Sequence, residues 1–207
     1  RAYGSIIDLF PGRADLRRVL FTGFGEGNQQ LRVNGLTLGI DNWIYGANGR
    51  SDGTVRKAET LEDLLPAPAT ASQPNFRARE RERAMKEPVS IRQRDFRFRP
   101  DFGRFEVTTG FSQFGLAFDV WGNRFLSWNT VHIRHAGLEQ QYLDRNPYMP
   151  PAGAVREIAE HGSTCRVFPA SRTTPRFNAE PPGYMNASCG LTIYRGDALP
   201  AAYRGNA

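Results

Sequence analysis

The chain has 207 residues, 40% apolar and 12% aromatic, which is enough to bury a core and excludes a wholly disordered polymer. No apolar stretch approaches the length of a membrane span, and 21 Gly with 14 Pro point to short strands joined by turns, with few helices. The formal charge of +6 would suit nucleic acid, but Lys57 and Lys86 are the only lysines among 27 basic residues; that Arg skew is what GC-rich coding produces, and no nucleic-acid partner is expected.

The chain opens on Arg1 and runs into the strand-like Tyr3-Gly4-Ser5-Ile6-Ile7, so it is expected to be a piece of a longer protein whose export or anchor segments lie elsewhere. The first clear element is Gly35-Leu36-Thr37-Leu38-Gly39-Ile40-Asp41-Asn42-Trp43-Ile44-Tyr45-Gly46: a Gly, a short strand, a tight turn and a second strand with aromatics. Residues 56–90 read as a loop insertion, because Leu-Leu-Pro-Ala-Pro and then alternating Arg and Glu describe a solvated segment with at most a short helical turn. Arg94-Asp95-Phe96-Arg97-Phe98-Arg99-Pro100 alternates apolar and charged side chains, Asp101-Phe102-Gly103 turns the chain, and Arg104-Phe105-Glu106-Val107 returns. This is a half-buried hairpin, with the Arg run on an exposed face or forming an anion-binding stripe.

The first motif then returns as Gly115-Leu116-Ala117-Phe118-Asp119-Val120-Trp121-Gly122-Asn123-Arg124-Phe125-Leu126, and more weakly as Gly190-Leu191-Thr192-Ile193-Tyr194-Arg195-Gly196-Asp197-Ala198-Leu199. Trp43 and Trp121 take equivalent places in this reading and are expected to pack in the core or between blades. Between the last two copies, residues 137–187 are loop-rich. Hairpins that cannot bury their apolar faces alone bury them by stacking radially, so the expected fold is all-β: an incomplete β-propeller over residues 1–207, with long loop insertions. The intervals exceed one blade, and each holds a blade with an insertion or two blades of which one has diverged.

The strings Phe21-Thr22-Gly23-Phe24-Gly25, Asp95 to Pro100, Gln113 to Phe125, Asn129-Thr130-Val131-His132-Ile133-Arg134-His135 and Leu191 to Asp197 resemble the membrane-bound dehydrogenase domain of the PVC-type haem-binding proteins. That domain is similar to the six-bladed, NHL-like glucose and sorbosone dehydrogenase propellers. The resemblance implies an exported, periplasmic or envelope-associated oxidoreductase acting on a sugar or aldehyde. It further implies pyrroloquinoline quinone (PQQ) and calcium as cofactors, a cytochrome c as electron acceptor, and membrane association through other segments of the parent. Haem c would belong to such segments too, since this chain has no CxxCH. The alternative is a non-catalytic propeller that binds carbohydrate or a protein partner.

Strand periodicity puts His132 and Arg134 on one face and His135 on the other. The resemblance implies that His132 takes a hydroxyl proton and Arg134 stabilises charge on the reduced cofactor. A His beside a sheet strand otherwise serves as a hydrogen-bonded residue bridging hairpins. Asn129, His135 and His161 complete the expected cofactor contacts; Gly162 equally makes the sequence around His161 a simple turn. Three His, with His161 in a separate loop, make no zinc triad, and Asp41, Asn42, Asp119 and Asn123 fill turns, so no metal site is read from the residues themselves. Cys165 and Cys189 are the only cysteines and flank a loop-like stretch; a disulfide between them is expected, consistent with an oxidising compartment.

Overall fold

The protein is described by a computed structural model over residues 19–58, 83–146, 148, 153–159, 166–168 and 183–207. Among these residues are eleven strands: β1 (Phe21–Phe24), β2 (Asn34–Leu38), β3 (Ile44–Ala47), β4 (Gly53–Lys57), β5 (Val89–Ser90), β6 (Asp95–Arg99), β7 (Arg104–Thr108), β8 (Leu116–Phe118), β9 (Arg124–Leu126), β10 (Arg134–Ala136) and β11 (Val155–Glu157). A four-residue helix, α1 (Gln140–Leu143), lies between β10 and β11. The strands form three antiparallel sheets, ordered β1-β4-β5, β2-β3-β6-β7 and β8-β9-β10-β11, so the all-β expectation holds.

The sequence repeat is also a structural repeat. Gly35, Gly115 and Gly190 all have positive φ, of 62°, 99° and 66°, a region that side chains with a Cβ enter at a cost. Four residues later, each copy closes its hairpin from the equivalent position: Gly39 N–H donates to Trp43 O, Asp119 N–H to Asn123 O, and Tyr194 N–H to Asn206 O. The first two loops hold three residues, with Asn42 (φ 61°) and Gly122 (φ 87°) at the same place in the turn. The third holds eleven, residues 195–205. No strand forms at residues 190–194, yet the hairpin closure is the same.

The first strands of the copies lie side by side. Asn34 Nδ2 donates to Gln113 O and Thr37 Oγ1 to Leu116 O, both across 79 residues, so β2 and β8 run in the same sense. Gly190 N–H donates to Phe114 O and the Arg195 guanidinium to Phe118 O, which sets the third copy against β8 as β8 is set against β2. A Cβ on Gly35 would sit 2.7 Å from the Gly115 Cα, so this approach of backbones depends on glycine.

Alternation along β6 divides its side chains between two cores. Phe96 and Phe98 join Leu20, Phe21, Val55, Ile91 and Phe105 between the first two sheets, with Phe96 and Phe105 stacked at 5.2 Å. The opposite side of the β2-β3-β6-β7 sheet meets the third sheet, where Trp43, Tyr45, Leu116, Leu126 and Ala136 form a second core. Burying apolar side chains on both faces is the dominant stabilising term, about 25 cal/mol per Å².

Several expectations change. Residues 56–90 are not wholly a loop: Lys57 ends β4 and Val89–Ser90 forms β5, giving a β1-β4-β5 sheet that the sequence reading lacks; residues 59–82 lie outside the described residues. The loop-rich segment 137–187 likewise contains α1 and β11. Trp43 and Trp121 are not equivalent: Trp43 follows its turn and is buried, whereas Trp121 sits in the turn and is 80% exposed, because the two turns fall two residues apart relative to the tryptophans. Arg97 and Arg99 are largely covered rather than exposed, their side chains 12% and 20% accessible and paired with carboxylates.

Candidate functional site

The repeat strands all begin at one end of the sheets, and the connections there come together through backbone bonds. Gly49 N–H donates to Ser112 O, Gln113 N–H to Ser127 O, and Ser188 N–H to Asn129 O. The loop from Ser127 to Ile133, which carries Asn129 and His132 and leads into Arg134 and His135 on β10, is therefore held against the lead-ins to β8 and to the third copy. Within it Trp128 N–H donates to Val131 O, and Val131 is buried.

His132 precedes β10 rather than lying on it, half-buried, with its Nδ1 enclosed and without a hydrogen-bond partner among the described residues. Arg134 is the first residue of β10, opposite Leu126 on β9 and Glu157 on β11. Its Nη2 donates to Phe111 O at 3.2 Å, its guanidinium lies 4.9 Å from the Trp128 ring centroid, and its Nε is buried without a partner. Burial lowers the Arg134 pKa, and the charges of Glu157 and Asp95 counter that only in part. Arg50 brings a second guanidinium to Trp128, 5.3 Å from the ring, and Phe111 packs against it at 5.0 Å.

The remaining candidates do other things. Asn129 Oδ1 accepts from Ala187 N–H at 2.7 Å, so this side chain ties down the segment leading into the third copy. His135 alternates to the other face of β10, as periodicity predicts, and stacks on Phe125 at 5.3 Å. Cys189 is exposed and unpaired among the described residues; His161, and Cys165 with the disulfide expected of it, lie outside them.

The sequence reading missed a buried ionic group between the two four-stranded sheets. Asp95 and Arg124 are both fully enclosed. Asp95 Oδ1 accepts from Asn48 N–H and Ser112 N–H, each at 2.9 Å, Oδ2 accepts from Ser112 Oγ at 2.5 Å, and Arg124 Nη1 stands 3.7 Å from Oδ2. Arg124 also donates to Thr109 O at 2.5 Å and faces Glu139 at 3.5 Å. A buried carboxylate satisfied in this way joins β6, the turn after β3, the approach to β8, and β9. Alternation of charged and apolar residues shows only that Asp95 and Arg124 avoid one face; which of them is enclosed depends on a sheet formed elsewhere in the chain.

A second polar group lies on the same face of the first four-stranded sheet. Arg97 donates to Glu106 (2.8 Å) and to the Tyr45 hydroxyl (3.2 Å), and Arg104 bonds Glu106 from the other side. Both guanidiniums lie over the Trp43 ring, at 4.3 and 4.6 Å. Burial raises the Glu106 carboxyl, but the bonds and charges of Arg97 and Arg104 outweigh it and leave the pKa lowered. Burial pushes the Tyr45 hydroxyl up to about 12. Beside this group, between β7 and α1, is a cavity of about 380 Å³.

The cation and aromatic corner of Arg50, Trp128 and Arg134 has chemistry suited to a planar polycarboxylated quinone: positive charge for its carboxylates, an aromatic side chain beside it, and an unused buried donor at Arg134 Nε. A calcium ion fits less well, since no group of three or more His, Cys, Asp or Glu side chains converges among the described residues. No helix among these residues is long and apolar enough to cross a membrane.

A family model described as Domain of unknown function (DUF7133) matches residues 11–207. No curated protein and no solved structure matches the chain.

Proposed function

This chain belongs to the DUF7133 family, a domain of unknown function, and on that footing we propose that it forms part of a β-propeller whose strand-entry end oxidises a sugar or aldehyde. The observation that carries the reading is the unmet hydrogen-bonding capacity of two neighbouring side chains, His132 Nδ1 and Arg134 Nε. Buried polar atoms nearly always find partners, and an exception calls for an explanation, of which a catalytic or ligand-binding role is one. Two side-by-side four-stranded antiparallel sheets whose first strands share one direction support the propeller.

In this reading His132 is the base that takes the hydroxyl proton as the substrate carbon gives up hydride. Arg134 and Arg50 orient the acceptor through its negative charges, while Trp128 supplies the surface on which its plane rests. A bound PQQ-type quinone would supply the hydride acceptor. Asn129 and Phe111 act at one remove: the first fixes the neighbouring segment, the second accepts from Arg134 and so aims it. On this reading the protein is exported and passes electrons onward to a cytochrome c, as the resemblance suggests.

The test is dye-linked oxidation of a panel of aldoses and aldehydes by the whole protein, with and without PQQ. His132→Ala is expected to lower the rate by about 10² to 10⁴, the contribution of a positioned base. Unchanged turnover in a folded His132→Ala protein would make His132 structural.

A further inference from the structure

The geometry points to a second binding site, for a neutral polyhydroxy compound, in the cavity between β7 and α1. At about 380 Å³ it falls within the range of small-molecule sites, about 300 to 1,000 Å³. It is lined by side chains of β5, β6 and β7 and by the connection that carries α1.

The class of ligand follows from how the charges are already spent. Glu106 is held by Arg97 and Arg104 together, Glu139 faces the buried Arg124 at 3.5 Å, and Asp144 accepts from Gln140 Nε2 at 2.7 Å. Each carboxylate on the wall thus has a cation or an amide donor of its own. An incoming ion would meet charges of both signs on the wall, Arg97 and Arg104 opposing a cation and Glu106, Glu139 and Asp144 opposing an anion, and would lose hydration on entry. A neutral molecule bearing several hydroxyls meets a different surface. Carboxylate lone pairs not used in these bonds accept from it, the exposed amide of Gln141 both donates and accepts, and Val89 and Val107 offer apolar contact for its carbon skeleton. The wall is also held in place, because Glu106 is fixed on two sides and Arg97 is further bound to the Tyr45 hydroxyl. This site shares no residue with His132 or Arg134 and stands or falls independently of the oxidation reading.

Ligand-observed NMR titration of the whole protein tests it, with glucose, sorbitol and inositol as neutral probes, gluconate as the anionic one and glucosamine as the cationic one. Saturable binding of at least one neutral probe is expected, with both charged probes weaker. The double variant Gln140→Ala, Gln141→Ala keeps good helix formers in α1 and should weaken the neutral probe about tenfold, the effect of losing one to two hydrogen bonds. His132→Ala should leave that binding unchanged. Absence of saturable binding by all three neutral probes, tighter binding of either charged probe, an unaffected double variant, or loss of binding on His132→Ala would each overturn the proposal.

Discussion

Asp95 is enclosed on all sides, and its two oxygens take every nearby donor: two backbone N–H groups, one hydroxyl and, at longer range, the Arg124 guanidinium. Removing it leaves three donors without their acceptor and takes from the buried Arg124 one of its two carboxylate neighbours. Asp95→Ala is therefore expected to cost about 3–5 kcal/mol, the usual range for breaking one side of a buried pair, with Asp95→Asn milder because its amide oxygen still accepts. Urea denaturation measures both; a loss for Asp95→Ala below about 1 kcal/mol would mean that the group is not the latch described here. The sequence made Asp95 legible as a strand residue but not as this one. The same limit applies to Arg134, whose face on β10 was readable from parity, whereas its bond to Phe111 and its place over Trp128 needed the fold. Trp121 shows the reverse error, since likeness of residue type across the repeat outweighed the two-residue difference in turn position.

At the level of elements, the glycine that opens each repeat does two jobs that can be separated. All three have positive φ, but only Gly35 is also pressed against a neighbouring backbone, its hypothetical Cβ 2.7 Å from the Gly115 Cα, whereas Gly190 has nothing within 4 Å. Gly190→Ala should pay only for backbone strain, about 1 kcal/mol, while Gly35→Ala adds a clash that separates β2 from β8 and should cost about 2–4 kcal/mol. Thermal or chemical unfolding of the two variants gives the comparison, and equal losses would show that the β2 to β8 approach is not tight. The hairpins were legible because a Gly, an alternating strand and an Asp or Asn turn are local signals. The β1-β4-β5 sheet was not, because β5 is two residues long and pairs with β4 across a long intervening segment. Local pattern carries no record of such a partner.

For the molecule as a whole, the third copy is the least regular part and depends on a few bonds to the second. Asn129 supplies two of them, from its side chain to Ala187 N–H and from its carbonyl to Ser188 N–H, while Ser127 Oγ donates to Ser188 O. Asn129→Ala should leave the two four-stranded sheets intact and speed amide exchange at Ala187 and Gly190 by about tenfold, the equivalent of one net hydrogen bond. Exchange that is unchanged there would show that the third copy is held by something other than this junction. The three copies also close their hairpins through the same donor position over loops of three, three and eleven residues. Extending a flexible closure from three residues to eleven costs only about 1 kcal/mol by the logarithmic dependence on length. At that end of the molecule, chain length is nearly free. Insertions and deletions between residues 195 and 205 should therefore leave the closing bond between Tyr194 and Asn206 and the backbone pairing beneath it largely undisturbed.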